Sequence, residues 1–187
     1  MDQRRLVEHA QRGDHDAFAA LAGAAIARLD AGARLILRDP ELARDAVQET
    51  LIRAWKDLPT LRDADRFDAW LHRSLVNACL DLLRRRKHRA VEVEMTPLFS
   101  PSVGDFAAGV VDRDLLDRAL RALAPDRRAL VVLHYYLGMP LPDVAASLGI
   151  PLGTAKSRLH RSVETLRTSV GLADDMTVHA VTEGQLA

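Results

Sequence analysis

The sequence contains only one cysteine, Cys79, among its 187 residues. A single thiol excludes an internal disulfide, and it excludes a metal site built from several cysteines. Cys79 falls on a helical pattern beside Leu75 and Leu82, so we predict that it is a small core residue. This cysteine usage is compatible with a reducing compartment.

Long apolar stretches are also absent from the sequence. No run of about 18 consecutive apolar residues is present, as a transmembrane helix would require, and no basic segment followed by an apolar one forms a leader at the start. We therefore expect a soluble, cytoplasmic protein that does not insert into a membrane.

The residue patterns of metal centres and active sites are missing as well. The seven histidines are scattered without HExxH spacing: they are His9, His15, His72, His88, His134, His160 and His179. Clustered carboxylates, a nucleophile beside a base and a Gly-rich phosphate loop are not found either. We predict no metal, no cofactor, no small-molecule substrate and no enzymatic activity.

The formal net charge of zero first argues against a polyanionic partner, but the charges are unevenly distributed along the chain. Residues 1–90 carry +3 and residues 113–171 carry +4, whereas residues 91–112 carry −4 and residues 172–187 carry −3. Two basic blocks are thus separated and followed by acidic segments. This distribution indicates two anion-binding domains joined by a solvated connector and followed by a short acidic tail.

Helical periodicity runs through both basic blocks and stops between them. Pro97, Pro101 and Gly104 interrupt the pattern in residues 91–112, where Phe99 and Phe106 are candidate contacts onto a domain. We predict an all-α fold of two small helical domains joined by an acidic, flexible linker. The N-terminal domain would be a helical bundle and the C-terminal domain a helix-turn-helix.

The stretch from Phe67 to Arg89 predicts an amphipathic helix with a basic end. Its apolar side carries Leu71, Leu75, Ala78 and Leu82, its opposite side Arg73, Asn77, Asp81 and Arg84, and its end Arg84, Arg85, Arg86, Lys87 and Arg89. Positive charge at this end complements the helix dipole. Considered by itself, the helix has the pattern of a solvated surface.

A second helix is predicted from about Glu41 to Leu58, with Pro40 in its first turn. Its inward side carries Val47, Leu51, Ala54 and Leu58, and its outward side Asp45, Gln48, Glu49, Ile52 and Lys56. Acids, an amide and one isoleucine together are typical of solvated surface or of a docking surface for another protein. The residues alone leave both interpretations open.

The stretch from Leu141 to Arg167 predicts a helix-turn-helix. A short helix opens at Pro142, Gly149 supplies a residue able to adopt positive φ in a tight turn, and Ile150 points back to the core. In the second helix Ala155, Leu159, Val163 and Leu166 repeat on the buried side, and Thr154, Lys156, Ser157, Arg158, His160 and Arg161 remain outward. DNA binding is favoured over a generic helical hairpin, because outward cations and hydroxyls can contact phosphates and base edges.

Taken together, these stretches resemble the sigma-70 family of bacterial transcription initiation factors, in its small extracytoplasmic-function (ECF) branch. DAVQETLIRAW resembles the segment that binds core polymerase, FDAWLHRSLVNACLDLLRRRKHR the segment that recognises the promoter −10 element, and residues 119–167 the domain that reads the −35 element. GDHDAF matches the opening segment of the family. The chain departs from the family pattern at Asp143-Val144-Ala145, Pro151 and Ala155.

The resemblance implies a function for each group of outward residues. Core polymerase would be bound by Asp45, Gln48, Glu49, Ile52 and Lys56, the −10 element by Arg62, Arg66, Arg73, Asn77, Arg84, Arg85, Arg86 and Lys87, and the −35 element by Thr154, Lys156, Ser157, Arg158 and Arg161. The implied partners are core RNA polymerase, promoter DNA and an anti-sigma factor. Residues 1–90 and 113–171 would be the two DNA-reading domains.

One alternative function remains open at the level of sequence. A one-component helix-turn-helix regulator would bind a palindromic operator as a dimer without being a polymerase subunit. In addition, Trp55 and Trp70 could stack on bases, but each lies beside an apolar stripe, so we assign both to the core.

Overall fold

A computed structural model describes residues 2–92 and 110–169, with side chains for residues 2–86 and 116–169. Within these ranges the chain is helical, in agreement with the all-α prediction. The helices are α1 (Gln3–Gln11), α2 (His15–Leu37), α3 (Pro40–Asp57), α4 (Phe67–Glu92), α5 (Val110–Arg121), α6 (Pro125–Val131), α7 (Leu141–Leu148) and α8 (Leu152–Ser169). Short 3₁₀ turns at Leu58–Thr60 and Ala64–Arg66 lead into α4, and a π-helical turn, Val132–Tyr136, continues α6.

Aspartate caps fix where two of the helices begin. One carboxylate oxygen of Asp14 accepts hydrogen bonds of 3.0 Å from the backbone N–H groups of Asp16 and Ala17, and Asp39 caps α3 in the same manner. Such bonds satisfy backbone donors that have no partner inside the helix, and they hold the pKa of Asp14 below its usual value. Asp2 is the N-cap residue of α1, and its side chain makes no capping bond.

Helices α1 to α4 form the predicted N-terminal bundle, in which α3 packs between α2 and α4. The apolar stripe of α4 is buried as predicted, with Leu71, Leu75 and Ala78 at most 1% exposed. Cys79 is fully buried beside them, which confirms it as a core residue, and burial raises the pKa of its thiol to about 12. Trp55 and Trp70 are both half-buried.

The C-terminal helices have the geometry of a helix-turn-helix. Helix α7 ends at Leu148 and is capped by Gly149, whose φ of +65° favours glycine, and α8 begins three residues after Gly149. Ala155 at the first turn of α8 is fully buried against the core, so α7 and α8 approach closely. Ile150 is half-buried and packs on the same core, as predicted.

The helices on both sides extend into residues assigned to the predicted linker. Helix α4 continues to Glu92 and α5 begins at Val110, so residues 91–92 and 110–112 are helical rather than linker. Pro97 and Gly104 lie outside the described residues, as do Phe99, Phe106 and the acidic tail at 172–187.

The two groups of helices share one apolar core. Leu29, Ala33 and Ile36 of α2 belong to the same buried cluster as Leu130 and Leu137 of the second group. Leu137 packs over Gly32, where a Cβ atom would lie 3.5 Å from a Leu137 methyl carbon, in ordinary van der Waals contact. The second domain therefore packs directly on α2 and α4 in this structure.

Candidate nucleic-acid and protein interfaces

The outward face of α3 is exposed along its length. All five predicted docking residues are exposed: Asp45, Gln48, Glu49, Ile52 and Lys56. Their spacing of three or four residues places them on one side of the helix. Ile52 is a large apolar side chain that remains 43% exposed, although apolar residues of its size usually lie in the core. This face therefore combines acids with an exposed apolar side chain.

A shallow groove runs between α3 and α4 beside this face. It is lined by Asp45, Gln48, Glu49, Ile52, Arg53, Ala78, Asp81, Leu82 and Arg85. Arg53 bridges its two walls: the Nε atom lies 2.7 Å from a Glu49 carboxylate oxygen and an Nη atom lies 3.7 Å from one of Asp81. Sequence reasoning missed Arg53, although its position four residues after Glu49 on α3 was visible.

The polar side of α4 is also exposed, but part of its charge is already paired. Arg73 and Asn77 are exposed, whereas the exposed Arg84 donates a 2.6 Å hydrogen bond to Asp81. Arg86 forms an ion pair of 3.5 Å with Asp39. On the predicted −10 face, Arg73 and Asn77 are therefore the side chains most directly available to a ligand. The side chain of Lys87 lies outside the described side chains.

The loop before α4 presents two further predicted residues, and they differ in their surroundings. Arg62 and Arg66 are both exposed. Arg66 donates a 2.9 Å hydrogen bond to Asp143 at the start of α7. One residue assigned to −10 DNA thus contacts the helix-turn-helix in this structure.

His72 is a buried titratable residue that the sequence analysis did not single out. It is 6% exposed, and burial, with a smaller contribution from the nearby charge of Arg28, lowers its pKa, while Asp68 acts in the opposite direction. A signal was present in the sequence, because His72, Val76 and Cys79 follow one another at helical spacing. The imidazole is thereby held neutral inside the fold.

The exposed face of α8 carries the predicted −35 residues. Lys156, Ser157 and Arg161 are exposed, whereas Thr154 is half-buried. Arg158 is half-buried, and an Nη atom lies 3.3 Å from a carboxylate oxygen of Asp126 on α6. Among the predicted −35 cations, Lys156 and Arg161 are therefore more accessible than Arg158, which also links α8 to α6.

A second groove lies where α8 meets the π-helical turn. Its lining residues are Tyr135, Leu141, Lys156, Leu159, His160, Val163, Glu164 and Arg167. Tyr135 is 63% exposed and was not predicted as a surface residue of interest. In the part of the chain that the structure describes, no group of His, Cys, Asp and Glu could hold a metal ion. No helix there is long and apolar enough to cross a membrane.

Comparison with known families gives these faces a common context. Residues 25–89 match the family description "Sigma-70 region 2", and residues 113–166 match "Sigma-70, region 4". The chain belongs to the sigma-70 family. The first match covers α3 and the exposed faces of α4, and the second covers the helix-turn-helix, so this sigma factor carries both regions in the order that the sequence predicted.

Its curated relatives are RNA polymerase sigma factors, several of them named as ECF factors. The chain is 36% identical over 142 residues to the RNA polymerase sigma-E factor of Streptomyces avermitilis, covering 76% of this chain and 78% of that protein. It is 36% identical over 172 residues to the ECF RNA polymerase sigma factor SigM of Mycobacterium tuberculosis, covering 91% and 85%. The function of the chain is therefore that of an ECF-type sigma factor in transcription initiation.

A solved structure supports the same assignment for the fold. The sigma factor RpoE of Bartonella quintana, in a complex with the anti-sigma factor NepR, matches with a TM-score of 0.75 and 26% sequence identity. The match covers 83% of this chain and 98% of that one. The likeness includes most of both helical regions.

Proposed function

We propose that this sigma factor binds core RNA polymerase through the exposed face of α3, directs it to promoters with −35 and −10 elements, and assists promoter melting. The observation that supports this proposal is the placement of exposed predicted residues within both matched regions. It acts in the cytoplasm and has no catalytic activity of its own. In this proposal residues 1–90 bind core polymerase and the −10 element, and residues 113–171 bind the −35 element. Residues 91–112 form the linker between them, and residues 172–187 form a short acidic tail.

Docking on polymerase is assigned to α3 because its outward face has the chemistry of a protein interface. Ile52 supplies exposed apolar surface, and Asp45, Gln48 and Glu49 surround it with polar groups. Interfaces commonly place apolar anchors in the centre and polar groups at the rim. Arg53 would hold the Glu49 carboxylate in place through their 2.7 Å contact.

Recognition of the −10 element is assigned to the exposed side of α4 and the loop before it. Arg73 and Asn77 can bind bases and phosphates as the duplex opens, and Arg85 and Lys87 add positive charge toward the end of the helix. Unpairing a base costs about a few kcal/mol, so a sequence that melts easily is favoured. Captured single-stranded bases and backbone contacts then offset that cost.

Recognition of the −35 element is assigned to α8. In helix-turn-helix proteins the second helix lies in the major groove, with its N-terminal residues at base edges. Lys156, Ser157 and Arg161 are exposed on this helix, and Thr154 lies near its start. Neither domain needs high affinity alone, because binding to one polymerase raises the effective concentration of each domain at its DNA element.

A protein that sequesters the factor is a further proposed partner. A solved relative, RpoE of Bartonella quintana, forms a complex with an anti-sigma factor. This chain resembles that relative over most of its length, so we expect an anti-sigma factor to bind it as well. Co-purification of the tagged chain from its host, followed by identification of the bound proteins, tests this expectation.

The central test is in vitro transcription with purified core polymerase and a library of promoter sequences. The protein should cause initiation at a subset of promoters that share both a −35 and a −10 sequence. Core polymerase alone and polymerase with the Gln48→Ala/Glu49→Ala variant are the controls. Specific binding to a palindromic operator without polymerase, together with no stimulated initiation, would favour the one-component regulator instead.

A further inference from the structure

Helix α1 is hydrogen-bonded to the loop that joins α3 to α4. This loop contains the 3₁₀ turns Leu58–Thr60 and Ala64–Arg66, separated by residues 61–63. The side-chain amide of Gln11, the last residue of α1, donates hydrogen bonds to the carbonyl of Leu58 at 3.1 Å and to that of Leu61 at 2.6 Å. We call these two bonds the amide bridge.

The amide bridge fixes the direction of the chain where it leaves the first 3₁₀ turn. The Leu58 carbonyl also accepts a 3.0 Å bond from the backbone N–H of Leu61, which closes that turn. The two hydrogens of a side-chain amide lie in one plane, so Gln11 sets the relative placement of both carbonyls. Because a peptide unit is planar, fixing the Leu61 carbonyl also fixes the backbone amide of Arg62.

A second polar contact between α1 and the loop is weaker than the amide bridge. An Nη atom of Arg4 lies 3.4 Å from a carboxylate oxygen of Asp65, and the two side chains are 60% and 66% exposed. Exposed ion pairs of this kind contribute little. Gln11 is half-buried, and its partners are backbone carbonyls rather than mobile side chains. Of the two contacts, the amide bridge therefore holds the loop more firmly.

The loop is anchored on its core side and presents Arg62 outward. Leu58 is fully buried, and Leu61 is half-buried and packs on the same core. The Asp63 carboxylate accepts a 3.0 Å bond from the backbone N–H of Asp65, which starts the second turn. Arg62 lies between these anchored segments, and its side chain is exposed. The backbone of Arg62 is thus held on both sides.

We propose that Gln11 is a positioning residue for recognition of the −10 element, because the amide bridge fixes the backbone from which Arg62 reaches DNA. This inference rests on the proposed function, which assigns the loop to −10 DNA. An ordered loop loses less conformational entropy when it binds an unpaired base. It also discriminates between bases, since a specific site must hold its groups within about 0.5 Å of the productive geometry.

The first test measures hydrogen exchange in the free protein by NMR, which depends on neither polymerase nor DNA. Gln11→Met removes both donors but keeps an uncharged, unbranched side chain of similar length. The backbone amides of Leu61 and Arg66 are bonded within the loop and should exchange about tenfold faster, as expected for the loss of two hydrogen bonds. Amides in the middle of α3 should exchange as in wild type.

The second test is in vitro transcription from promoters that share one −35 element and differ at single positions of the −10 element. Base preference is the initiation rate with the preferred base divided by the mean rate with the other three. Gln11→Met should lower this ratio by about fivefold, while affinity for core polymerase stays unchanged. Gln11→Lys restores N–H donors on a side chain of at least equal reach, so it should recover most of the wild-type preference.

The matched control is Gln3→Met on the same helix. The Gln3 amide donates a 2.8 Å bond to Asp68 in the first turn of α4, beyond the loop. This variant also removes an amide that joins α1 to a neighbouring element. It should leave both the loop exchange and the base preference at their wild-type values.

Unchanged exchange of Leu61 and Arg66 in Gln11→Met would show that the amide bridge does not hold the loop, and would overturn the proposal. A wild-type base preference in Gln11→Met, an equal loss in Gln3→Met or no recovery with Gln11→Lys would overturn the positioning role and leave the proposed function standing. If the wild-type protein directs no initiation from any promoter, the proposed function fails, and the role of Gln11 in −10 recognition fails with it.

Discussion

Arg128, in the region 4 match, donates a hydrogen bond to the backbone carbonyl of Ile36 in the region 2 match, with an N–O distance of 3.0 Å. A second bond of 3.0 Å from the same guanidinium reaches the carbonyl of Leu123. The last carbonyls of a helix have no partner within it, and a cation there also complements the helix dipole. The Arg128 side chain thus caps the C-terminal end of α2 from the other group of helices.

Replacing Arg128 with methionine should destabilise the protein by about 2–3 kcal/mol, because two buried carbonyls lose charged donors. Burial already lowers the pKa of Arg128 to about 10, so removing the charge recovers part of that desolvation cost. Urea unfolding followed by circular dichroism measures the change. The neighbouring Arg127→Met variant is the control and should stay within about 0.5 kcal/mol of wild type; equal losses in both would contradict the assigned bonds.

The double variant Gln48→Ala/Glu49→Ala should weaken binding to core polymerase by about tenfold or more, because it removes the polar groups beside Ile52 on the docking face. Fluorescence anisotropy of the labelled sigma factor, titrated with core enzyme, gives the affinity. Glu41→Ala, also exposed on α3 but near its first turn, should bind like wild type. Undiminished affinity in the double variant would contradict the assignment of α3 to the polymerase interface.

Arg161→Ala should lower transcription from a −35-dependent promoter while leaving polymerase affinity unchanged. Arg161 is exposed on α8, and loss of one phosphate contact reduces the salt slope of DNA binding by about one unit. Arg158→Ala should reduce the same transcription and also stability, because it removes the 3.3 Å contact with Asp126. Wild-type transcription from both variants would refute the placement of α8 in DNA.

His72 should make the folded state sensitive to mild acid. Its pKa is lowered by burial, and Arg28 of α2 and Asp68 of α4 are the charged groups that act on it. Below about pH 6.5 the unfolded chain binds a proton that the folded one does not accept, so its contribution to stability is complete above that pH and falls as pH decreases.

The His72→Gln variant should therefore lose less stability than wild type between pH 7 and pH 5, with a slope difference of at most about 1.4 kcal/mol per pH unit. Chemical unfolding at a series of pH values measures it. The lowered pKa values of Asp14 and Asp117 act at more acidic pH and do not contribute in this range. Identical slopes for the two proteins would show that His72 is not held neutral.

Local pattern was sufficient to predict most of the helices and their outward faces. The stripe at Leu71, Leu75 and Ala78 is buried as its spacing required, and Gly149 adopts the positive φ that a tight turn needs. Periodicity reports which side of one helix is apolar, and that information is contained within each segment. Capping residues and prolines likewise act on their own turn.

The contact between the domains could not be predicted in this way. Gly32 and Leu137 are more than 100 residues apart, and nothing in either segment indicates that a side chain from one fills the space above the other. Arg38 and Arg128 also look like ordinary surface cations in the sequence, because a guanidinium is buried only when a distant partner covers it. The helical ends at Glu92 and Val110 were not predicted, because the prolines and Gly104 between them break the helical pattern in the sequence.

The packing of Leu137 on Gly32 limits how freely the second group of helices could be exchanged with that of a related protein. A second domain taken from another sigma factor would need a side chain of similar size above Gly32 and a donor for the Ile36 carbonyl. A graft without them would fold as two loosely tethered pieces, even if each piece kept its own specificity. Chimaeras that combine domains from two sigma factors should therefore fold best when α2 and the C-terminal helices that pack on it come from the same protein.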